Sequence, residues 1–380
     1  MSFSERRLGG SRSGGRALVR YCLAGIDHTI GENMGPSDGS AWQTLPAQVQ
    51  RALSAGWNTG GVPTAASALY SRWWQLETWL RSLVYVELRS EKGGAWADGL
   101  PSTSADRQQR GAAYHYMQTP DAQDQLAYLD AAPLLQLTHD QWSLFGSSLP
   151  AQKIWAGRIE ELREIRNRIG HCRRPHEDDL NRLEQTLKDL EGGAFRAMSS
   201  FNDRSPASPQ WSDVLVQDWI HGSHADASLI AHGAGQYQTS FRLLVSRRPW
   251  AKPMAPGEQQ IGPRPGYVWH ACWYFRGGRF FDLAQFWQDI EDDKELVMLA
   301  CAASSSSLEL SFSAVEDPQH VSDVIGHCFV AALENQRFTP CDEDPDAWAR
   351  RFANVDPRVH AGTPWATLGP SMAGASIFSA

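Results

Sequence analysis

Apolar residues recur at three- and four-residue spacing over residues 66–91, where Leu69, Trp73, Leu76, Leu80, Leu83 and Val84 share one face. That period predicts an amphipathic helix, with Gly93-Gly94 ending it. A second helix is predicted over 103–117, after Pro101, and short helical pieces over 121–130 and 141–145, separated by Pro133. After Pro150 the pattern predicts a long helix running to His171 or Cys172, since Pro175 forbids much continuation. On it, Ile154, Leu162, Ile165 and Ile169 form the expected apolar stripe. A last helix is expected over 177–190, with Leu180, Leu183, Leu187 and Leu190 on one face, acidic residues at its start and Gly192-Gly193 closing it.

Beyond residue 201 the texture changes. Segments 237–245, 267–275 and 308–312 alternate or concentrate β-branched and aromatic residues, and 296–303 reads as a buried strand. Arg276-Gly277-Gly278-Arg279 reads as a turn, and 282–290 and 322–334 as helices. The expected fold class is α+β: an all-α bundle over 63–195, then a separate α+β domain over 196–340 with a mostly antiparallel sheet and helices on one face. Residues 1–62 read as a Gly-, Ser- and Arg-rich irregular arm with one modestly apolar patch at 17–30, and 341–380 as a peripheral tail.

Composition narrows the function classes. No apolar run approaches the roughly 18–20 residues of a membrane span. The basic start, with Arg6, Arg7, Arg12 and Arg16, lacks the apolar segment of a signal peptide. Six scattered cysteines without a C-x-x-C pair predict reduced thiols, a cytoplasmic location and no structural zinc. A net charge of −8 excludes indiscriminate coating of nucleic acid, so such contact requires a local basic patch. One window holds Arg158, Arg163, Arg166, Arg168, Arg173, Arg174 and Arg182, with Glu160, Glu161 and Glu164 among them. A solvated, salt-bridged helix and a phosphate-binding face are both consistent with it.

The chemistry-bearing segment is Arg166-Asn167-Arg168-Ile169-Gly170-His171. Cleaving RNA through its own 2′-hydroxyl needs a proton shuttle near neutral pH and a cation for the phosphorane, and His and Arg supply these. Asn167 and His171 share a face, whereas Arg166 and His171 stand roughly 140° apart around the axis. The length of Arg, the helix end and a second copy from a partner subunit each relieve that separation. Two plainer roles stand beside these: His171 stabilising the helix C-terminus, and Arg166 pairing with Glu77. Elsewhere, His221, His224 and His232 lie close together in a Gly-rich stretch read as a loop without metal-ligand spacing. Trp269, Trp273, Tyr274, Phe275, Phe280 and Phe281 read as sheet core before base-stacking surface. The Gly-rich segments near Gly9 and Gly60 lack the Gly-Lys-Ser/Thr ending of a phosphate loop.

The region 66–190 resembles a HEPN domain, a helical module whose signature is Arg-x4–6-His, often Arg-Asn-x3-His, matched here by Arg166, Asn167 and His171. Leu162 to Ile165 before the motif and Cys172 to Pro175 after it are similar to the family's flanks. The first helix, with Trp74, Glu77, Trp79 and Arg81, resembles that of the larger HEPN proteins grouped with RNA-surveillance endonucleases. The resemblance implies a metal-independent endoribonuclease, without cofactor, that dimerises so that two motifs meet over an RNA substrate. It would leave 2′,3′-cyclic phosphate and 5′-hydroxyl ends, and would serve as a toxin or anti-phage effector with an antitoxin or activating partner. The resemblance assigns His171 to acid–base chemistry, Arg166 to the scissile phosphate and Asn167 to orientation. Arg168, Arg173 and Arg174 would hold flanking phosphates, and Glu77 would either support the cleft residues from behind or form a plain helix pair with Arg81. Where one subfamily carries a regulatory Tyr two residues after the motif His, this chain has Arg173. The alternative implied by the same resemblance is a non-catalytic HEPN protein that binds RNA or scaffolds a complex.

Overall fold

The computed structural model describes residues 47–58, 64–114, 124–338, 345–352 and 355–378. The apolar patch at 17–30 and most of the N-terminal arm lie outside them, but the arm's end, Ala47–Asn58, is helical (α1). The bundle is built on α2, Thr64–Lys92, whose Leu69, Trp73, Leu76, Leu80, Leu83 and Val84 are buried as their spacing requires. Around it lie α3 (Ser102–Ala112), α4 (Ala131–Asp140), α5 (Trp142–Phe145), α6 (Gln152–Gly170) and α7 (Asp179–Phe201).

Three expectations about these helices need correction. Pro133 does not separate helices. It lies in the first turn of α4, where no intrahelical bond requires its missing N–H. Gly192-Gly193 does not end the last helix, which runs on to Phe201. A β-carbon on Gly193 would collide with the Ser148 carbonyl, so this glycine serves close packing of α7 against the 146–148 turn. On α6 the stripe is Trp155, Ile159, Leu162 and Ile165, while Ile154 is 55% exposed. Trp155 takes the core position because its indole Nε1 donates to Thr138 Oγ1 at 3.0 Å, which satisfies its polar atom inside the bundle.

The second part is a six-stranded sheet in the order β1-β2-β3-β6-β5-β8 and a two-stranded ribbon of β4 and β7. Its strands are β1 (Ser205–Pro206), β2 (Thr239–Arg247), β3 (Tyr267–Phe275), β4 (Arg279–Phe281), β5 (Leu299–Ala302), β6 (Ser307–Ser313), β7 (Gln336–Phe338) and β8 (Val359–Ala361). All pairs are antiparallel except β5 with β8. The helices α8 (Val214–Trp219), α9 (Ser228–Tyr237), α10 (Leu283–Asp289) and α11 (Pro318–Glu334) share a core with one set of strand side chains, including Trp269, Ala271 and Trp273. The alternate residues of β3 and β5 turn toward the bundle. Val268, Leu299 and Cys301 belong to the bundle's core, and His270 packs edge-on against Phe201. Both faces of the sheet are therefore covered, which explains why eight of the nine residues of β3 are buried.

The two parts are tied by a fully buried ion pair. Arg248 places Nε 2.9 Å and Nη2 2.5 Å from the Glu87 carboxylate, which also accepts from Trp250 Nε1 at 2.7 Å. The tail is not peripheral either. Helix α12 (Pro345–Phe352) leads to β8, which adds to the sheet edge, and α13 (Pro364–Thr367) follows. Trp365, Leu368, Ile377 and Phe378 then enter the bundle core. The Phe378 ring meets Trp79 edge-on at 5.4 Å, while its amide donates to Glu191 Oε2 and its carbonyl accepts from Arg72 Nη1. A composition rich in Pro, Asp and Ala hides these widely spaced apolar anchors.

Candidate functional site

Helix α6 delivers the motif at its C-terminal end. Its exposed flank is a salt-bridged surface: Arg158 pairs with Glu161 at 2.9 Å and Asp189 at 3.0 Å, and Arg182 pairs with Glu161 at 2.7 Å. Arg163 donates to Gln136 Oε1 at 2.7 Å. Arg158 and Arg182, two of the seven arginines of the basic window, thus form the salt-bridged surface that the interspersed glutamates suggested, through Glu161.

The helix then stops in a Schellman arrangement. The Cys172 amide donates to the Ile169 carbonyl at 3.2 Å and the Arg173 amide to the Arg168 carbonyl at 2.9 Å. Cys172 occupies the left-handed position, φ 51°, which glycine usually takes. His171 is the cap residue, its amide bonded to the Asn167 carbonyl at 3.2 Å. The turn projects Arg173 and Arg174 outward before Pro175, and both are exposed.

Arg168 faces the other way. Its guanidinium grips Asp179 with two hydrogen bonds, Nε to Oδ2 at 2.7 Å and Nη2 to Oδ1 at 2.6 Å. Asp179 is 1% exposed and also accepts from the His176 amide at 2.9 Å. Burial alone would raise the Asp179 carboxyl, but the Arg168 fork and the His176 amide together hold it below the ordinary carboxylate value. The hydrogen bonds to Asp179, opposed by partial burial, raise the Arg168 guanidinium. Arg168 was expected to hold flanking phosphate, but its fork is occupied, and it fixes the segment 171–179 at both ends. Asp179 was missed in the sequence. The acid at the start of the last helix was visible there, but not the side chain it would hold.

Arg166 lies along the helix axis over Gly170, its Nη1 2.9 Å from where a β-carbon on that glycine would stand. The guanidinium therefore lies over Gly170, the residue just before His171. Gly170 admits this arginine rather than a neighbouring backbone. Asn167 and His171 are exposed, and Arg166 is half-buried. Among the described residues no side chain pairs with Arg166, Asn167, His171, Arg173 or Arg174. Glu77, the candidate partner of the cleft, is engaged within α2, with Arg81 on Oε1 and Trp73 Nε1 on Oε2. It is a helix pair and takes no hand in holding Arg166.

The remaining candidates separate. His221 meets the Pro209 carbonyl at 2.8 Å, His224 stacks on Trp219, and His232 lies on α9 against Tyr237. That stretch, expected as a loop, is helical over Ser228–Tyr237, where Gly233 lets α9 approach Phe329 and Leu333. Trp269, Trp273, Phe275 and Phe281 are core, while Tyr274 is 36% exposed. Among the described residues no group of three His, Cys, Asp or Glu could hold a metal, and no helix is long and apolar enough to cross a membrane.

Residues 74–191 match the family model described as Swt1-like HEPN. That segment contains Arg166, Asn167, His171 and Asp179, and excludes the sheet. No curated protein and no solved structure gives a significant match to the chain.

Proposed function

We propose, from the match of residues 74–191 to the Swt1-like HEPN model, that the protein is a metal-independent endoribonuclease acting as a homodimer. The observation that carries this reading is the division of the basic residues. Arg158, Arg168 and Arg182 are neutralised by carboxylates. Among the described residues Arg166, Arg173 and Arg174 have no side-chain partner, and they flank the exposed His171 in the sequence.

In the proposed reaction two copies of α6 meet end to end, so that His171 and Arg166 of each protomer face one RNA strand. One imidazole takes the proton of a 2′-hydroxyl, whose oxygen attacks the adjacent phosphorus. The phosphorane charge falls on the Arg166 forks, and Asn167 orients a non-bridging oxygen or the imidazole. The bond from phosphorus to the 5′-oxygen breaks, and the leaving oxygen takes a proton from the second imidazole. A 2′,3′-cyclic phosphate and a 5′-hydroxyl remain. Arg173 and Arg174 hold the neighbouring phosphates, which makes binding weaken as salt rises.

We assign the protein to the toxin or anti-phage class, acting on cytoplasmic RNA and restrained by an antitoxin or released by an activating partner. Induced expression is the test. Growth should arrest with the parent chain and resume with His171→Ala at equal protein level. Arrest that persists with His171→Ala removes the assignment of this site.

A further inference from the structure

Far along the sequence from the motif, three elements contribute to a ladder of packed aromatic and guanidinium groups on the surface. His232 and Tyr237 of α9 meet edge-on with ring centroids 5.5 Å apart. The Arg279 guanidinium of β4 lies 5.3 Å from the Tyr237 ring and 4.2 Å from the Phe338 ring of β7. Arg279 is held there by a hydrogen bond from Nη2 to the Gln236 carbonyl at 3.3 Å. Phe338 ends the ladder and is 68% exposed, more than any other large apolar side chain among the described residues. One face of its ring carries the arginine, and its exposure leaves room for another flat group to stack.

Among the described residues, arginines cluster beside the ladder. In the β4–β7 ribbon Phe280 stands opposite Arg337, so the second side of the ribbon repeats the pairing of an aromatic ring with an arginine. The turn entering the ribbon adds Arg276, presented by Gly277 and Gly278 at φ 69° and 73°. Asp282 caps α10, and Asp289 accepts from Asn335 and Gln285 while also feeling the Arg337 charge. No ion pair reaches Arg276, Arg279 or Arg337 among the described residues. On a chain of net charge −8, this is a local exception.

We propose that this ladder is a binding platform for single-stranded RNA, on which an unpaired base stacks against Phe338 while Arg276 and Arg337 contact the flanking phosphates. Exposed rings interleaved with arginine suit splayed bases and the backbone between them. A duplex, whose bases are already stacked, has no face to offer the ring. The platform rests on the ribonuclease reading only for the kind of nucleic acid. It would bias the enzyme toward unstructured substrates long enough to span two sites.

Binding is measured by fluorescence anisotropy with a short labelled oligouridylate on the full chain carrying His171→Ala, so that cleavage does not enter the result. Phe338→Ala and Arg279→Gln should each weaken binding about tenfold. Phe338→Trp should retain binding, and a blunt RNA duplex should compete poorly. Because Phe338 is exposed, its substitution leaves the fold intact, which circular dichroism verifies. The proposal is overturned if the parent does not bind the single strand, if Phe338→Ala binds as the parent does, or if duplex competes equally. A change of oligomeric state on Phe338→Ala, with RNA affinity unchanged, would overturn it in favour of a protein interface. None of these results depends on whether His171 cuts RNA, which is read separately from cleavage by the parent.

Discussion

Arg166 and Gly170 are coupled: the guanidinium of the first occupies the space that a side chain on the second would need. Gly170→Ala should therefore change activity and stability in opposite directions. Alanine favours the last helical turn by up to about 1 kcal/mol, and the displaced atom is the end of a flexible side chain, so unfolding should shift to higher denaturant. Cleavage should fall, because Arg166 is turned away from the phosphate. An alanine variant as active as the parent would show that this seat for Arg166 is irrelevant.

Asp179 and Arg168 set the segment that follows the motif. Asp179→Ala removes two charge-assisted hydrogen bonds and leaves the guanidinium half-buried without its acid, a loss on the order of 2 kcal/mol. The His176 amide loses its acceptor as well. The folded-state value of this carboxyl is depressed below the ordinary 3.8. Its contribution is therefore complete above the unfolded value and disappears as pH falls through the lower folded one. Urea titrations at pH 7 and below pH 4 should show parent and Asp179→Ala converging in acid. A constant difference would contradict the pairing.

His270 produces a second, higher pH window. It is fully buried between Ser246 and Ser311, with hydrogen bonds of 2.7 and 2.9 Å. Burial, reinforced by the Arg204 charge against the opposing pull of Glu309, lowers its imidazole to about 4 from 6.5. The unfolded chain takes up this proton first as the solution is acidified. Stability is thus full above pH 6.5 and declines toward pH 4, with a slope of up to about 1.4 kcal/mol per pH unit from this residue. In His270→Gln that component should vanish from a urea-midpoint profile, and an unchanged slope would refute it.

Phe378 anchors the C-terminal segment in the bundle rather than in the sheet. It is 2% exposed against Trp79, and Phe378→Ala should cost about 3 kcal/mol. Loss of helical signal should occur at a lower temperature than in the parent, and coincident melting curves would place the segment outside the cooperative unit.

Periodicity made the helices legible because their buried faces repeat over several turns, as in Leu69, Trp73, Leu76 and Leu80 on α2. It failed where one position decides the outcome. Ile154 and Trp155 are adjacent apolar residues, and only Thr138 on another helix determines which one is buried. Gly193 carries the same letter as a helix stop, yet the Ser148 carbonyl makes it a packing residue. At the candidate site, spacing singled out Arg166, Asn167 and His171 as candidates but could not apportion the arginines. Whether Arg168 meets phosphate or Asp179 depends on the path of the chain after Pro175, which local pattern does not encode. The tail was misread for a related reason: Trp365, Leu368 and Phe378 are too widely spaced to form a period, and their partners lie far away in sequence.

Whether this site cuts RNA without metal is decided by incubating total cellular RNA with the purified chain in excess EDTA, with the new ends mapped, beside Arg166→Ala and His171→Ala. Cutting should survive chelation, leave 2′,3′-cyclic phosphates and 5′-hydroxyls, and disappear in both variants. Cutting retained by either variant, or ends bearing a 5′-phosphate, would contradict the proposed reaction.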